Sequence, residues 1–503
     1  MKIFKILTSK IFIFGMLILL QLIWVLLMMF FLSDISVYID AFLRVISFFA
    51  LLYIINKDED SGYKLIWSIV ITIAPLFGGM MYLAIGNKRP SRQMQDSFQR
   101  QGRYELTLND RYLMPAGIEP DYQGQFSYLS RLGFPTYNDT LSKYYPLGDD
   151  NYEDLLLDLQ NAKHFIFMEY FIVDKGFMLD TIAMVLIEKS RSGVEVRFMY
   201  DDFGSIGWGK KALFKRMKAA GIKMVSFNPF VPFLSIAMNN RDHRKITVID
   251  GVIGYSGGFN IADEYINRIV RFGHWKDAGV RIEGLATWSL TKMFLTTWNA
   301  SRNTYEDYLL YHPSKFDLKT QSDGFIIPYG DSPLDNEPVG ENVYLNLINN
   351  AQKYIYIFTP YLVLNETLYK ALTLAVKRDV DVRIVTPGIP DKKLVYHVTR
   401  SFYENLIEGG VRIYEYTPGF IHSKNFIIDD KVAVVGTINL DYRSLFLHFE
   451  CGVILYKSKT IETIKQDFIE TFSKCQLITR KELDSFRFNK LAGFILRLFA
   501  PLL

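Results

Sequence analysis

The sequence predicts an α/β protein made by duplication: two copies of an α/β sandwich sharing one active site, preceded by N-terminal transmembrane helices. Three observations carry this. The pattern His-x-Lys-x4-Asp occurs twice, at His243-x-Lys245-x4-Asp250 and at His422-x-Lys424-x4-Asp429. Each copy is followed after six residues by Gly-x-x-Asn, ending at Asn260 and Asn439. The segments around the two copies resemble each other in the same order, and residues 11–32 run without a charge for the length of a bilayer-crossing helix.

The first 86 residues read as a membrane region with two or three hydrophobic segments. Lys2, Lys5 and Lys10 precede the 11–32 run, as in a signal peptide. The run is longer than a signal core, however, and no small-residue cleavage site follows, so it is expected to remain as an anchor. A second stretch, 35–55, carries Asp40 and Arg44, which are expensive at mid-bilayer and make it the weaker span. A third, 65–86, carries Pro75, Gly78 and Gly79, which membrane helices tolerate when neighbours re-satisfy the backbone. Basic residues flank the region on both sides, with Lys88, Arg89 and Arg92 after it. The positive-inside rule then places both ends in the cytoplasm and requires an even number of crossings. Two crossings are expected, with one stretch interfacial or re-entrant, giving a multi-pass membrane protein whose catalytic domains face the cytoplasm.

A chain of 503 residues suggests two or three domains. A net charge of +4, with no long Lys/Arg run, argues against a dedicated nucleic-acid binder. Cys451 and Cys475 match neither a zinc ligand set nor a disulfide framework.

Residues 87–140 are polar and mixed, a juxtamembrane connector. Beyond them Ala162, Val194, Gly221 and His243 open segments that recur at Ala351, Val380, Gly410 and His422, with offsets of 189, 186, 189 and 179 residues. Two copies at this period make a duplicated domain rather than a solenoid. The copies are expected at 141–320 and 321–480. In each, β-branched and aromatic runs (165–173 and 194–200; 354–359 and 380–385) alternate with amphipathic stretches such as 178–191 and 366–378, the pattern of an α/β sandwich with a mixed sheet. Residues 481–503, with Lys490 and Arg497 on a broad apolar face, suit an interfacial amphipathic segment; a terminal helix docked on the protein is the competing reading.

On a strand, residues i and i+2 share a face, so each histidine projects beside its lysine. Neutral imidazole attacks phosphorus, and protonated imidazole hands a proton to a departing alkoxide. Lys245 and Lys424 suit phosphate oxygens, and the Asn260 and Asn439 amides can help stabilise a pentacoordinate transition state. The lysines supply the positive charge a metal would bring, so neither metal nor other cofactor is expected. Each imidazole also needs an acceptor on its other nitrogen, for which Glu264 and Glu450 are the candidates, each shortly after the asparagine of its copy. Asp250 and Asp429 have two roles open: catalysis, or shaping a tight turn at Asp250-Gly251 and Asp429-Asp430. His274-Trp-Lys276 is a control: it is another His-x-Lys, but Arg281 stands at the Asp position and no Gly-x-x-Asn follows. The weight lies in the full pattern, and the chemistry it implies is the handling of a phosphodiester.

The doubled motif resembles the phospholipase D superfamily, and the chain as a whole resembles its bacterial cardiolipin synthase branch. Pro75-x-x-Gly78, Tyr82-Leu-Ala-Ile-Gly86, His274-Trp-Lys-Asp277, Ser332-Pro-Leu-Asp335, Thr359-Pro-Tyr361, Pro418-Gly-Phe-Ile-His422 and the Ala500-Pro-Leu-Leu end carry the wider likeness. The resemblance implies the phospholipase D-like fold and phosphohistidine chemistry. His243 would attack phosphorus, His422 would act as acid and then base, and Lys245, Lys424, Asn260 and Asn439 would bind the phosphate. It also implies phosphatidylglycerol as substrate and cardiolipin as product at a lipid bilayer. Gly258 and Thr437 depart from the serine often found at their position. A phospholipase D-type hydrolase, a transphosphatidylase using another acceptor, a nuclease and an inactive scaffold are the other readings; membrane segments count against the nuclease, and two complete motifs against the scaffold. Which histidine is the nucleophile, and the oligomeric state, stay open. Finally, the apolar loop 229–238, absent from the second copy, is expected to line an acyl-chain path or dip into the interface.

Overall fold

The alternating runs form two sheets of matching strand order in this computed structural model, which describes residues 19, 22, 23, 26, 33–86, 91–108, 115–207, 209–229, 239–318, 321–485 and 496–502. The strands are β1 (Thr140–Tyr145), β2 (Phe165–Tyr170), β3 (Glu195–Asp201), β4 (Lys223–Phe227), β5 (Lys245–Ile249), β6 (Ile253–Gly257), β7 (His274–Lys276) and β8 (Gly279–Gly284) in the first copy. The second copy holds β9 (Phe325–Asp331), β10 (Tyr354–Phe358), β11 (Asp381–Pro387), β12 (Arg412–Tyr416), β13 (Gly419–Ile421), β14 (Asn425–Ile428), β15 (Val432–Gly436), β16 (Glu450–Tyr456) and β17 (Cys475–Leu477).

The first sheet runs β1-β8-β6-β5-β2-β3-β4 and the second β17-β12-β11-β10-β14-β15-β16-β9. Reversed and trimmed of β17, the second order superposes on the first strand for strand. In both, a parallel trio (β2-β3-β4, β10-β11-β12) is joined antiparallel to the strand that follows the histidine, β5 or β14. The repeat seen in the sequence is thus a repeat of topology.

Side chains alternate between faces, as strand geometry demands. Phe167 and Val248 of the first sheet pack with Phe358, Ile427 and Val453 of the second in one central core, closed by the helices Thr287–Arg302 and Thr460–Ser473. Ile166, Met168 and Phe198 face the other way, under the helices Gly148–Asn161 and Phe177–Arg191. The helices Val339–Asn350 and Glu366–Lys377 cover the outer face of the second sheet in the same manner.

At the N-terminal side, Ser33–Ile55 is one helix. Its Val37–Ile55 part is the one stretch among the described residues long and apolar enough to cross a membrane. Asp40 and Arg44, read above as a weakness of this stretch, lie one turn apart and pair at 2.6 Å, which cancels their net charge. The 65–86 stretch breaks at Ala74, before Pro75, into the helices Ser61–Ile73 and Pro75–Met81 and the turn Tyr82–Gly86. Ile66, Trp67 and Ile71 are buried there against Tyr82, Leu498 and Leu502, so the two ends of the chain meet. The 11–32 run, apart from residues 19, 22, 23 and 26, the tip of the 229–238 loop (230–238), and residues 486–495 of the C-terminal segment lie outside the described residues.

The connector carries more order than its polarity suggested. Tyr122, Phe126 and Leu129, spaced along one face of the helix Pro120–Arg131, are buried in the second domain. The helix Arg92–Thr107 clamps the helix Thr287–Arg302: Ser97 donates to the Ala300 carbonyl and Gln101 to that of Thr304.

Candidate active site

The two copies meet at their histidines through exchanged backbone. The His243 N–H donates to the carbonyl of Phe449, and the His422 N–H to that of Lys276, so each histidine is stitched to the other domain. β7 and β13 form a parallel two-stranded ladder at one seam, and a bridge between Asp242 and Phe449 is its counterpart at the other. One residue beyond each seam stands a carboxylate. Nδ1 of His243 lies 2.9 and 3.0 Å from the two oxygens of Glu450, and Nδ1 of His422 lies 2.6 Å from Oδ2 of Asp277.

This corrects the expected orienting pair. Glu450 does hold a histidine, but that of the other copy, and Glu264 holds none. Glu264 lies in the short turn Asp263–Ile266 and accepts from Arg271 at 3.2 Å, while Asp263 beside it caps the helix Phe177–Arg191. The missed partner is Asp277, fully buried in the segment His274-Trp-Lys-Asp277. A signal for it existed: Asp277 and Glu450 close the equivalent loops after Asn260 and Asn439. The first loop spans 17 positions and the second 11, which hides the match.

The Gly258/Thr437 difference follows from the same exchange. Thr437 donates its hydroxyl to Glu450, whose longer side chain leaves room for it. A Cβ at Gly258 would lie 1.8 Å from Oδ1 of Asp277. Aspartate with glycine on one side and glutamate with threonine on the other are two solutions to one packing problem.

Asp250 and Asp429 stand apart from the histidines, which corrects their catalytic reading. Both sit in left-handed turns, at φ 51° and 55°. Asp250 accepts from the backbone N–H groups of Lys163, His164 and Phe165, and Asp429 from those of Gln352, Lys353 and Tyr354, all between 2.7 and 2.8 Å. Seven residues of extended chain separate each from its histidine, about 20 Å. They cap the starts of β2 and β10.

Lys245 and Lys424 point back to the carbonyls of their own histidines. Burial pulls Lys245 down to about 8 and Lys424 to about 7, against the raising effect of nearby carboxylates. Burial, then Lys424, pulls His422 down to about 4, while burial, then Lys245, holds His243 well below the usual imidazole range. The carboxylates differ. Burial pushes Glu450 up to about 8, whereas the push of burial on Asp277 is outweighed by His422 and Lys424, so its carboxyl falls below the usual range. Asn260 accepts from the Ile172 N–H and donates to the Tyr265 hydroxyl, leaving one amide hydrogen; Oδ1 of Asn439 is buried without a partner among the described residues. His274, the control, hydrogen-bonds the Tyr416 hydroxyl at 3.0 Å.

His243, His448 and Glu450 bring ligand atoms within 4.8 Å of one another, close enough to hold a divalent cation. Lys245, Lys424 and Arg443 crowd the same space, and this charge set suits an anion instead. Two imidazoles with exchanged carboxylates, facing two buried ammonium groups, can transfer a phosphoryl-type group through a histidine.

Comparisons with known proteins give the family. Residues 155–270 and 344–472 match the family described as cardiolipin synthase, PLD-like domain. Residues 45–87 match the phospholipase D-nuclease N-terminal family. A cardiolipin synthase of Alkalihalophilus pseudofirmus is 34% identical over 85% of this chain and 85% of its own length. The chain belongs to the phospholipase D-like cardiolipin synthase family. Another relative, a cardiolipin synthase of Geobacillus kaustophilus, is 32% identical over 90% of this chain and 92% of its own. An uncharacterized protein of Streptococcus mutans is 40% identical over 90% of this chain and 99% of its own. Among solved structures, phosphatidylserine synthase of Haemophilus influenzae shares the fold, with a TM-score of 0.55 over 76% of this chain and all of its own, at 13% identity.

Proposed function

We propose that this phosphatidyltransferase condenses two phosphatidylglycerols into cardiolipin and glycerol at the surface of the bacterial cell membrane. The observation that carries the chemistry is the exchanged pairing of each histidine with a buried carboxylate of the other copy. Membership in the cardiolipin synthase family carries the substrate.

In the first step an imidazole Nε2 of one histidine bonds to phosphorus, the bond from phosphorus to the glycerol oxygen breaks, and the other imidazole gives that oxygen a proton. In the second, the terminal hydroxyl of another phosphatidylglycerol bonds to phosphorus, the nitrogen–phosphorus bond breaks, and the hydroxyl proton passes to the same imidazole. The phosphodiester energy is kept in the phosphohistidine. The negative substrate raises the pKa of the acid histidine from its low value in the empty site. His243 suits the attack, because the Glu450 carboxyl beside Nδ1 holds the ring proton there and leaves the lone pair on Nε2. His422 suits the acid, because the carboxyl of Asp277 stays ionised beside it. Lys245, Lys424, Asn260 and Asn439 hold the phosphate oxygens.

For topology, crossings by 11–32 and 37–55 would return the chain to the cytoplasm, with the broken 61–86 segment at the interface. The apolar helix Val37–Ile55 and the basic residues at both flanks support this reading.

The test is purified protein in detergent with phosphatidylglycerol alone and a chelator. Equal amounts of cardiolipin and glycerol are expected. Phosphatidic acid as the main product would make the protein a hydrolase, and the absence of product would overturn the reading.

A further inference from the structure

A third imidazole stands beside His243. His448 precedes Glu450 by two residues, and its ring centroid is 5.6 Å from that of His243. The equivalent residue of the first copy, two before Asp277, is Trp275, whose ring lies 5.4 Å from that of His422. The duplicated site therefore has unlike walls: an indole packed among Tyr265, Phe272 and Phe420 on one side, and an imidazole on the other.

Nδ1 of His448 is buried, lies 3.8 Å from Oε1 of Glu450, and has no hydrogen-bond partner among the described residues. The side chain keeps 11% exposure, none of it at Nδ1. Nδ1 faces a Glu450 oxygen, an acceptor in either protonation state, so the ring proton belongs on Nδ1 and Nε2 keeps the lone pair. Burial, then Arg443 and Lys245, holds this ring well below the usual imidazole range, so it stays neutral. A neutral acceptor beside the reacting histidine, in a site otherwise lined with cations for phosphate, answers to a hydroxyl.

We propose that His448 recognises the alcohol: its Nε2 accepts a hydrogen bond from the glycerol hydroxyl next to the one that reacts. This rests on the transferase reading above. By microscopic reversibility the leaving glycerol and the incoming headgroup occupy the same place, so one residue serves both steps. Water has no second hydroxyl to offer, and His448 thereby favours transfer over hydrolysis.

The test uses the full chain in detergent, phosphatidylglycerol as donor, and 1,2-propanediol against 1-propanol as competing acceptors, with both phosphatidyl products read by mass spectrometry. The wild type is expected to favour the vicinal diol about five- to tenfold, the worth of one hydrogen bond. His448→Phe or His448→Leu should bring the ratio near one and raise the share of phosphatidic acid, while His448→Gln, which keeps an acceptor, should retain the preference in part. A wild type with no diol preference overturns the proposal before any variant is made. A diol preference unchanged in His448→Phe or His448→Leu overturns it equally, by reducing His448 to packing. Failure of the transferase reading shows elsewhere, as absence of cardiolipin from phosphatidylglycerol alone.

Discussion

Nδ1 of His422 lies 2.6 Å from Oδ2 of Asp277, 145 residues earlier in the chain and in the other copy of the repeat. Neither half of the duplication can orient its own imidazole, so neither is a complete site. Asp277→Asn keeps the shape but removes the charge that supports an imidazolium. Turnover to cardiolipin is expected to fall on the order of 10²- to 10⁴-fold, with KM changing far less. Glu264→Ala, which removes only a surface pair with Arg271, should stay within about twofold. Equal losses in the two variants would show that Asp277 does not orient His422.

Gly258 offers a second check on the same geometry. Any side chain there must displace Asp277, and the nearest atom is a carboxylate oxygen already committed to the site. Gly258→Ser is expected to lower turnover at least tenfold and stability by about 1–3 kcal/mol. Thr437→Gly, at the matching position, opens space instead; it loses the hydrogen bond given to Glu450 and the one accepted from the Cys451 N–H, about 2 kcal/mol, and leaves Asp277 undisturbed. Kinetics and melting of the two purified variants decide this. A mild Gly258→Ser would mean that the Asp277 side chain has room to move.

The two histidines and two lysines that the doubled spacing singled out do lie within electrostatic reach of one another, because spacing in strands survives duplication. The sequence did not show the exchange. Proximity along the chain favoured Glu264 and a within-copy pairing, whereas the seams β7–β13 and Asp242–Phe449 pass each carboxylate to the opposite histidine. The six extra positions before Asp277 hid its match to Glu450. For the membrane region, Asp40 and Arg44 looked costly one at a time, and only the helix reveals that they neutralise each other. His448 passed without notice because an imidazole two residues from a carboxylate has no motif to announce it.

The two motif aspartates separate stability from chemistry. Asp250→Ala deletes the acceptor of three backbone N–H groups and places alanine at positive φ, with an expected loss of about 3 kcal/mol. Asp250→Asn keeps one oxygen and a side chain tolerant of that turn, and should lose less. Active-site titration would correct turnover for the folded fraction, and that corrected value should stay near wild type for both. A folded Asp250→Asn protein with abolished turnover would return the aspartate to catalysis.

The buried lysines give the empty site a proton deficit that an anion should fill. Lys245 near 8 and Lys424 near 7 are only partly protonated at pH 8. A bound dianion favours their charged forms and raises both values, so binding must take up protons; the sign follows because the bound state holds more protons than the free one. Sulfate is the suitable probe, since its own charge does not change near pH 8. Titration calorimetry in buffers of different ionisation enthalpy should show uptake of about one proton or more per site at pH 8. The uptake at pH 8, well above the range of His422, should shrink in Lys424→Met. Sulfate that binds at pH 8 without proton uptake would mean that both ammonium groups are fully charged in the empty site, and that the carboxylates of Glu450 and Asp277 outweigh burial there.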